Sequence, residues 1–340
     1  MNIKEIARQA QVSVATVSRV LNHPELVQPE TRAHILEVMA RHNYTPNWFA
    51  RRLNLARTNT IALLVPNIEG GINQKVVAGV ESVATKKGST VLLCSTHGRP
   101  EEEDRLLRMV FDRRVDGVIC SSSNLTQARL NECGLGSSAF VLIGQGDGEM
   151  TACYINFEGI AYKMTQHLLG LGRRRIDLLL DETGHSRNDP IISGYRRALL
   201  DADVQQGHIH MAAGGLRGGY LAARRLFATE TLPDAIFAGS DDLAFGVMKA
   251  ARDDGVDIPA RLAVVGFDDS LLCDLVTPEL TSIEQPSKRL GMVAARLLFD
   301  LIEDAQIAET VPQEVVLQPK LKIRRSCGNK KYIQDRKSVV

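Results

Sequence analysis

The spacing of hydrophobic residues changes near residue 60 and divides the chain into two parts. Before this point, apolar residues recur three or four positions apart, which predicts short amphipathic helices over 3–10, 13–22 and about 29–42. After it, uninterrupted apolar runs of four to six residues alternate with helical patterns. Such runs predict the strands of a parallel sheet that helices cover on both faces. The predicted fold is a small all-α domain followed by an α/β core.

The alternation of strands and helices occurs twice in the core, which predicts two doubly wound parallel-sheet subdomains. Their strands are expected at 61–65, 91–94, 117–120 and 140–143, then at 176–180, 235–238, 263–267 and 282–283. A helix near 288–304 and a strand at 314–317 are expected to return to the first subdomain. Ligands of open α/β sheets bind beyond the carboxyl ends of the strands, so a small-molecule site is expected there.

The second short helix has an apolar side and a polar side. Ser13 is placed to cap its start, and Val17, Val20 and Leu21 would face a core shared with the neighbouring helices. Two short helices joined by a tight turn are typical of a helix-turn-helix, whose second helix enters the major groove of DNA.

The opposite side of this helix carries the residues that would meet DNA. Val14 and Ala15 suit contacts with thymine methyl groups, and Arg19 suits guanine or a phosphate. Thr16 and Ser18 suit phosphate contacts that fix the register of the protein on the duplex.

Charge is unevenly distributed along the chain. Residues 1–60 hold eight basic and four acidic side chains, a net charge of +4, whereas the whole chain carries +1. This basic front end fits nucleic-acid binding by the first part alone. No apolar run reaches the ~18 residues of a membrane span and no secretory signal is recognisable, which favours a cytoplasmic protein.

The sequence offers little support for a cofactor, a metal or a disulfide. The six cysteines are far apart and form no Cys-x-x-Cys pair, which predicts buried thiols in a reducing compartment. His208 and His210 alternate but have no third ligand nearby in the sequence, so no metal is expected. The glycine pattern at 134–139 is followed by a strand instead of a helix, which argues against dinucleotide binding.

Seven motifs resemble the LacI/GalR family of bacterial transcription regulators. They are Ile3–Ala7, Val12–Asn22, Tyr44–Asn47, Ala50–Leu53, Val115–Ile119, Ile258–Asp269 and Leu280–Pro286. The resemblance covers residues 3 to about 326. It implies a periplasmic-binding-protein-like core and a sequence-specific repressor under the control of a small-molecule effector. It also implies a homodimer or tetramer on a pseudo-palindromic operator in double-stranded DNA.

Pattern and resemblance together predict four segments. They are a helix-turn-helix domain at 1–46, a hinge helix and linker at 47–57, an effector-binding and dimerisation core at 58–326, and a disordered tail at 327–340. In the core, the N-subdomain would span about 58–157 with 288–318, and the C-subdomain about 158–287 with 319–326.

The resemblance assigns DNA contacts to particular residues. Val14, Ala15 and Arg19 would read bases, with further contacts expected from Ser13, Thr16, Ser18, Asn22, Asn47, Ala50, Arg51 and Leu53. Leu53 would be the wedge that enters the minor groove and kinks the duplex. The hinge is too short for a stable isolated helix and should order only on DNA beside a second copy. The alternative is that Leu53 and Trp48 pack on the larger domain.

The loops at the expected strand ends are rich in carboxylates, amides and hydroxyls, which suits a polyhydroxylated effector such as a carbohydrate. The candidate effector-binding residues are Asn73, Arg187, Ser240, Asp241, Asp268 and Gln285. The resemblance implies that Asp268 accepts ligand hydroxyls and that Ser240 stands where asparagine is usual. The alternative for Asp241 and Asp269 is that they cap helices.

Three positions depart from the pattern of the family. Gly71–Asn73 replaces an aromatic loop, Ile191 replaces an arginine, and Gly214 replaces an aromatic residue. Arg187 or Arg217 would then have to supply the missing cation. Two other hypotheses therefore stay open, an α/β enzyme acting on a sugar or nucleotide with a helical appendage, and a DNA-binding protein that senses no effector. The first lacks a recognisable base, nucleophile or cofactor motif, so no enzyme activity is expected.

Overall fold

The computed structural model describes residues 3–22, 26–42, 58–68, 71–112, 115–122, 125–134, 139–182, 185–229, 231–303 and 312–329. The chain divides into two compact units, Met1–Thr58 and Asn59–Val340. No helix within the described ranges has the length and apolar character needed to cross a membrane.

In its described residues, the small unit contains three helices, α1 (Ile3–Gln9), α2 (Val14–Asn22) and α3 (Pro29–Arg41). Their apolar sides form one core, which holds Ile6, Ala7, Ala10, Val17, Val20, Ile35, Val38 and Met39. Leu21 is partly buried against the same core. The helical spacing of these residues in the sequence therefore reports their inward face correctly.

The large unit alternates strands and helices. Its strands are β1 (Thr60–Val65), β2 (Thr90–Ser95), β3 (Gly117–Ser121), β4 (Phe140–Ile143), β5 (Ala152–Ile155), β6 (Ile176–Asp181), β7 (Ile209–Ala212), β8 (Ala235–Ala238), β9 (Ala263–Val265), β10 (Ser282–Glu284), β11 (Glu314–Leu317) and β12 (Lys320–Lys322). Its helices are α4 (Gly71–Lys86), α5 (Pro100–Asp112), α6 (Gln127–Glu132), α7 (Phe157–Gly170), α8 (His185–Asp201), α9 (Gly215–Phe227), α10 (Asp241–Asp253) and α11 (Ser287–Glu303), with a 3-10 helix at Leu271–Asp274.

Two parallel sheets organise the part of the large unit that the structure describes. The first has six strands in the order β11-β5-β4-β3-β1-β2, and the second has four in the order β7-β6-β8-β9. Apolar side chains on both faces of these sheets enter separate hydrophobic clusters. This arrangement confirms the predicted fold class of an all-α unit followed by a doubly wound α/β core.

The chain crosses from the second sheet back to the first near its end. Helix α11 packs on the first sheet beside α4, and β11 pairs with β5. The two helices approach closely because glycines face each other's backbone. A Cβ on Gly79 would lie 2.1 Å from the carbonyl oxygen of Lys288, and one on Gly291 would lie 2.1 Å from that of Val76.

The structure corrects the sequence analysis at several places in the large unit. The strand predicted at 282–283 is present as Ser282–Glu284, but it pairs antiparallel with Lys320–Lys322 in a separate two-stranded sheet. The short strands β5, β7 and β12 were not predicted. Cys327 was placed in a disordered tail, yet it is fully buried in the core of the second sheet.

All six cysteines are free and buried, which confirms the prediction of buried thiols. Burial raises the pKa of the Cys153 thiol to about 12. Burial, with the nearby Asp241 carboxylate, raises that of Cys273 to about 12 as well. These two groups therefore stay protonated and unreactive at neutral pH.

Candidate functional sites

Helix α2 presents a continuous exposed face on the small unit. The hydroxyl oxygen of Ser13 accepts a hydrogen bond from the backbone N–H of Thr16 at 3.0 Å, which caps the start of the helix. The turn before it is tight, with Gln11 in the left-handed region at φ 53°. The cap and the turn together fix the orientation of α2 relative to α1.

The predicted DNA-contacting residues of α2 share this face. Val14 is 40% exposed, and Ala15 and Arg19 are also exposed. Thr16 and Ser18 are half-buried at its margin, and the hydroxyl of Thr16 lies 2.8 Å from that of Ser13. Asn22 ends the helix, and its side chain lies outside the described residues. So do the hinge candidates Asn47, Ala50, Arg51 and Leu53.

A second polar group lies at the carboxyl ends of strands in the second sheet. We call it the Asp268 cluster, and it comprises Arg187, Phe267, Asp268 and Gln285. Asp268 Oδ1 lies 3.3 Å from Arg187 Nη1 and accepts a hydrogen bond from Gln285 Nε2 at 2.9 Å. Arg187 also donates to the carbonyl oxygen of Gly239 at 2.8 Å and lies over the Phe267 ring at 5.7 Å. The structure thus brings together three of the six predicted effector-binding residues.

The electrostatics of the Asp268 cluster are unusual. Enclosure by protein raises the pKa of the Asp268 carboxyl to about 6, an increase that the Arg187 guanidinium opposes and the Asp241 carboxylate reinforces. The side chains of Asp268 and Arg187 are each 22% exposed, so the pair remains accessible to a ligand. A carboxyl group with a pKa near 6 accepts hydrogen bonds when it is ionised and can donate one when it is protonated.

Two buried oxygen atoms beside this cluster have no hydrogen-bond partner in the structure. They are Gln285 Oε1 and Ser287 Oγ. Gln285 Nε2 is held by the Phe267 carbonyl and by Asp268, so its amide oxygen is directed away from these two acceptors. Buried polar atoms are rarely left unpaired, and a bound water or ion is one explanation for those that are.

The structure gives Asp241 a different role from the predicted one. Its side chain is almost fully buried, and Oδ1 accepts from the Phe267 backbone N–H at 3.0 Å and from Ser282 Oγ at 2.5 Å. Oδ2 accepts from the Ser270 backbone N–H at 2.7 Å and from Cys273 Sγ at 3.1 Å. Its oxygens are fully engaged by protein donors, so we correct its assignment from effector contact to internal support.

Ser240 and Asn73 also have local partners. Ser240 is the N-cap of α10 and accepts from the Leu243 backbone N–H at 3.2 Å. Asn73 donates from Nδ2 to the carbonyl and side-chain oxygens of Asn67, at 2.9 and 3.1 Å. No described contact joins Asn73 to Asp268. The helix cap is thus Ser240, whereas the sequence analysis considered capping for the neighbouring residue Asp241.

Two residues of the site were missed from the sequence. Ser282 Oγ accepts hydrogen bonds from the backbone N–H groups of Asp268 and Asp269, at 3.1 and 3.0 Å, and donates one to Asp241. Ser282 therefore links Asp241 to the backbone of the Asp268 cluster. Ser287 supplies one of the unpaired oxygens. Their position close to Gln285 in the sequence was the only signal available, because a lone serine carries no pattern.

A helix-turn-helix unit joined to an α/β unit with a polar cluster at its strand ends defines the class of ligand-responsive DNA-binding proteins. Residues 2–47 match the model of bacterial regulatory proteins of the lacI family, and residues 165–327 match that of the periplasmic binding protein-like domain. These matches agree with the two units seen in the fold.

Individual relatives extend the similarity over nearly the whole chain. Catabolite control protein A of Priestia megaterium is 31% identical over 335 residues, 96% of this chain and 99% of the relative. The transcriptional repressor PurR of Vibrio campbellii is 30% identical over 329 residues, 95% and 98% of the two chains. The structure of the regulator CelR in complex with cellobiose superposes with a TM-score of 0.69 at 28% identity, covering 96% of this chain and 99% of that one.

The chain therefore belongs to the LacI family of bacterial regulatory proteins. The prediction of a sequence-specific DNA-binding transcriptional regulator of the repressor class is confirmed. The relatives named above are transcription regulators.

Proposed function

We propose that the chain represses transcription as a homodimer that binds a pseudo-palindromic operator and responds to a polyhydroxylated effector. The single observation that carries the DNA half is the exposed face of α2. Val14 and Ala15 suit thymine methyl groups, and the exposed guanidinium of Arg19 suits a guanine edge. Since this protein acts on DNA, we place it at the bacterial nucleoid in the cytoplasm.

Several flanking residues complete the proposed DNA interface. Ser13, Thr16 and Ser18 surround the exposed face and would bind phosphates, as would Asn22 at the end of the helix. The hinge residues Asn47, Ala50, Arg51 and Leu53 stay a prediction from the sequence, with Leu53 entering the minor groove.

The DNA half is tested by selecting an operator from random duplexes and measuring its affinity by fluorescence anisotropy. Arg19→Ala should lose about 1–3 kcal/mol against the selected site and little against a scrambled one. Arg41→Ala is the matched control, because Arg41 is exposed on the same unit but already pairs with Glu37 at 2.8 Å. Equal losses for both variants, or for both duplexes with Arg19→Ala, would refute this assignment.

The Asp268 cluster supports the effector half of the proposal. Its accessible carboxylate and guanidinium can accept from and donate to ligand hydroxyls, and the unpaired Gln285 Oε1 can accept one more. Hydroxyl-rich molecules present such groups together, and a relative of similar fold was solved with cellobiose. Arg187 takes the place of the cation missing at Ile191, since α8 begins early enough to carry it.

Calorimetry of the full chain against mono- and disaccharides, sugar acids and nucleosides tests the effector half. One class should bind at one site per chain, and Arg187→Met should abolish binding while Arg196→Met, exposed on the same helix, should not. Absence of binding across the panel, with operator binding intact, would instead favour the effector-blind hypothesis. Retained binding in the Arg187 variant would move the site elsewhere.

Two surfaces of the large unit support the homodimer. Leu271 and Leu275 are 90% and 76% exposed on and beside the 3-10 helix. The other surface is a groove of about 430 Å³ between α4 and β2, with Val77, Val91 and Leu93 in its lining. Strand β2 is an edge of the first sheet, where another chain can pair, and exposed apolar patches mark sites of protein–protein contact. A second copy fits, because two helix-turn-helix units are needed for two half-sites.

Sedimentation velocity tests the dimer. The double variant Leu271→Glu/Leu275→Glu should shift the protein towards the monomer and weaken operator binding. Leu200→Glu is the control, because Leu200 is 79% exposed on α8 and this helix contributes to neither surface. A double variant that sediments like the parent protein would exclude this surface.

A further inference from the structure

Two histidines that the regulator function leaves unexplained converge on one buried carboxylate. His208 immediately precedes β7 and His210 lies within it, so both side chains project to the same side of this edge strand. The neighbouring strand β6 supplies Asp177, whose side chain is only 8% exposed. Asp177 lies far from the two histidines in the sequence, because helix α8 separates β6 from β7.

The three side chains already have the spacing of a metal site. Asp177 Oδ2 lies 2.9 Å from His210 Nε2 and 4.0 Å from His208 Nδ1, and the three ligand atoms fall within 4.8 Å of one another. Neighbouring ligands around a tetrahedral Zn²⁺ are about 3.4 Å apart when each bond is about 2.1 Å. The observed distances bracket this value, so small side-chain rotations would bring all three into range.

The backbone holds the carboxylate in place. Asp177 Oδ1 accepts from the His208 backbone N–H at 3.0 Å, which leaves Oδ2 directed at the imidazoles. Tyr195 fixes the approach to β7, because its hydroxyl accepts from the Gly207 N–H at 3.1 Å and donates to the Ile176 carbonyl at 2.6 Å. Such outer support orients ligands before a metal binds.

A simple hydrogen bond accounts for only part of this arrangement. The contact between Asp177 and His210 would satisfy both groups, but it leaves His208 unexplained. The His208 side chain is 86% exposed, and its ring centroid lies 5.8 Å from that of His210. An exposed imidazole beside a half-buried imidazole and a buried carboxylate leaves an open coordination position towards solvent, as in sites with three protein ligands.

We propose that Asp177, His208 and His210 form a binding site for a first-row divalent transition-metal ion, with Zn²⁺ as the best match. Two imidazoles and one carboxylate suit Zn²⁺, Ni²⁺ and Cu²⁺ better than Mg²⁺ or Ca²⁺, which prefer oxygen ligands. The site lies at the amino-terminal edge of the second sheet, whereas the Asp268 cluster lies at its carboxyl edge. The bound ion would join the edge strand β7 to β6 without competing with an effector.

Titration of ZnCl₂ into untagged, chelator-treated full-length protein tests the site by calorimetry. We expect one ion per chain and a higher melting temperature in its presence. His208→Gln should weaken binding by at least about tenfold, since loss of even an outer-shell partner has an effect of that size. His208 is largely exposed, so this variant should fold normally. His97→Gln, at an exposed histidine in a turn, is the matched control.

Co²⁺ in place of Zn²⁺ identifies the ligands by absorption spectroscopy. Visible d–d bands that disappear in His208→Gln and His210→Gln, but persist in His97→Gln, would support the proposal. A near-ultraviolet thiolate band would show that cysteines hold the ion and would overturn it. Undiminished Zn²⁺ affinity in both histidine variants, or no binding by the parent protein, would overturn it as well.

Discussion

Replacing Asp241 with asparagine should destabilise the large unit strongly. The carboxylate accepts four hydrogen bonds, from the backbone of Phe267 and Ser270 and from the side chains of Ser282 and Cys273. An amide retains one acceptor oxygen, and in either orientation its NH₂ group meets two donors, one of them a backbone N–H. Leaving a buried N–H unpaired costs about 1–3 kcal/mol, and each charged hydrogen bond contributes about 1.5–3 kcal/mol. We therefore expect a loss of about 3 kcal/mol in the free energy of unfolding.

Urea unfolding of the full chain, followed by far-ultraviolet circular dichroism, measures this loss without any ligand present. Asp242→Asn is the matched control, since Asp242 occupies the next position in the first turn of α10, has the same charge and is exposed. It reports the effect of the helix dipole alone, about 0.3–1 kcal/mol. If Asp241→Asn costs no more than this control, the four hydrogen bonds do not support the unit as we infer.

Three further predictions concern Asp268, the packing of α4 on α11, and the cap of α2. Folding raises the pKa of the Asp268 carboxyl from 3.8 to about 6, so the protonated group stabilises the fold below pH 3.8 and this stabilisation is lost as pH rises through 6. In urea unfolding, the free energy of unfolding of the parent protein should therefore fall relative to that of Asp268→Asn, by up to about 3 kcal/mol between pH 4 and 7. A difference between the two proteins that does not change with pH would contradict this. Gly291→Ala should cost at least about 1–3 kcal/mol by thermal unfolding because its Cβ would meet the Val76 carbonyl, whereas Gly170→Ala, with open space around it, should be neutral or stabilising. Ser13→Ala should cost about 1 kcal/mol in the small unit, and Ser13→Asp should restore it; equal stability of all three proteins would exclude the cap.

The sequence predicted the elements whose side chains repeat with a regular period. The three described helices of the small unit follow from apolar residues spaced three or four positions apart. Most strands of the core follow from uninterrupted apolar runs such as Ile61–Val65 and Ile176–Leu180. The missed strands were short or polar, and β7 shows why. This strand lies at a sheet edge with His210 half-buried, so its sequence lacks the apolar run of a central strand.

The site was less predictable because its contacts join distant segments. Asp268 and Arg187 could be proposed from strand ends and the resemblance, but burial of Asp241 depends on donors from residues 267 to 282. Asp177 and His210 similarly meet only through strand pairing, since β6 and β7 are separated by helix α8. Local patterns do not specify how such segments meet in space.

The support given by Asp241 bears on how an effector would be recognised. Asp241 holds Ser282, and Ser282 holds the backbone of Asp268, so the carboxylate at the strand end is fixed before any ligand arrives. Arg187 already pairs with that carboxylate, and Gln285 Oε1 beside it has no donor. A ligand that binds here must share the Asp268–Arg187 pair and add a donor for the amide. Adjacent hydroxyl groups, each both donor and acceptor, meet these two requirements, whereas a purely anionic ligand would be repelled by Asp268 and would leave the amide unpaired.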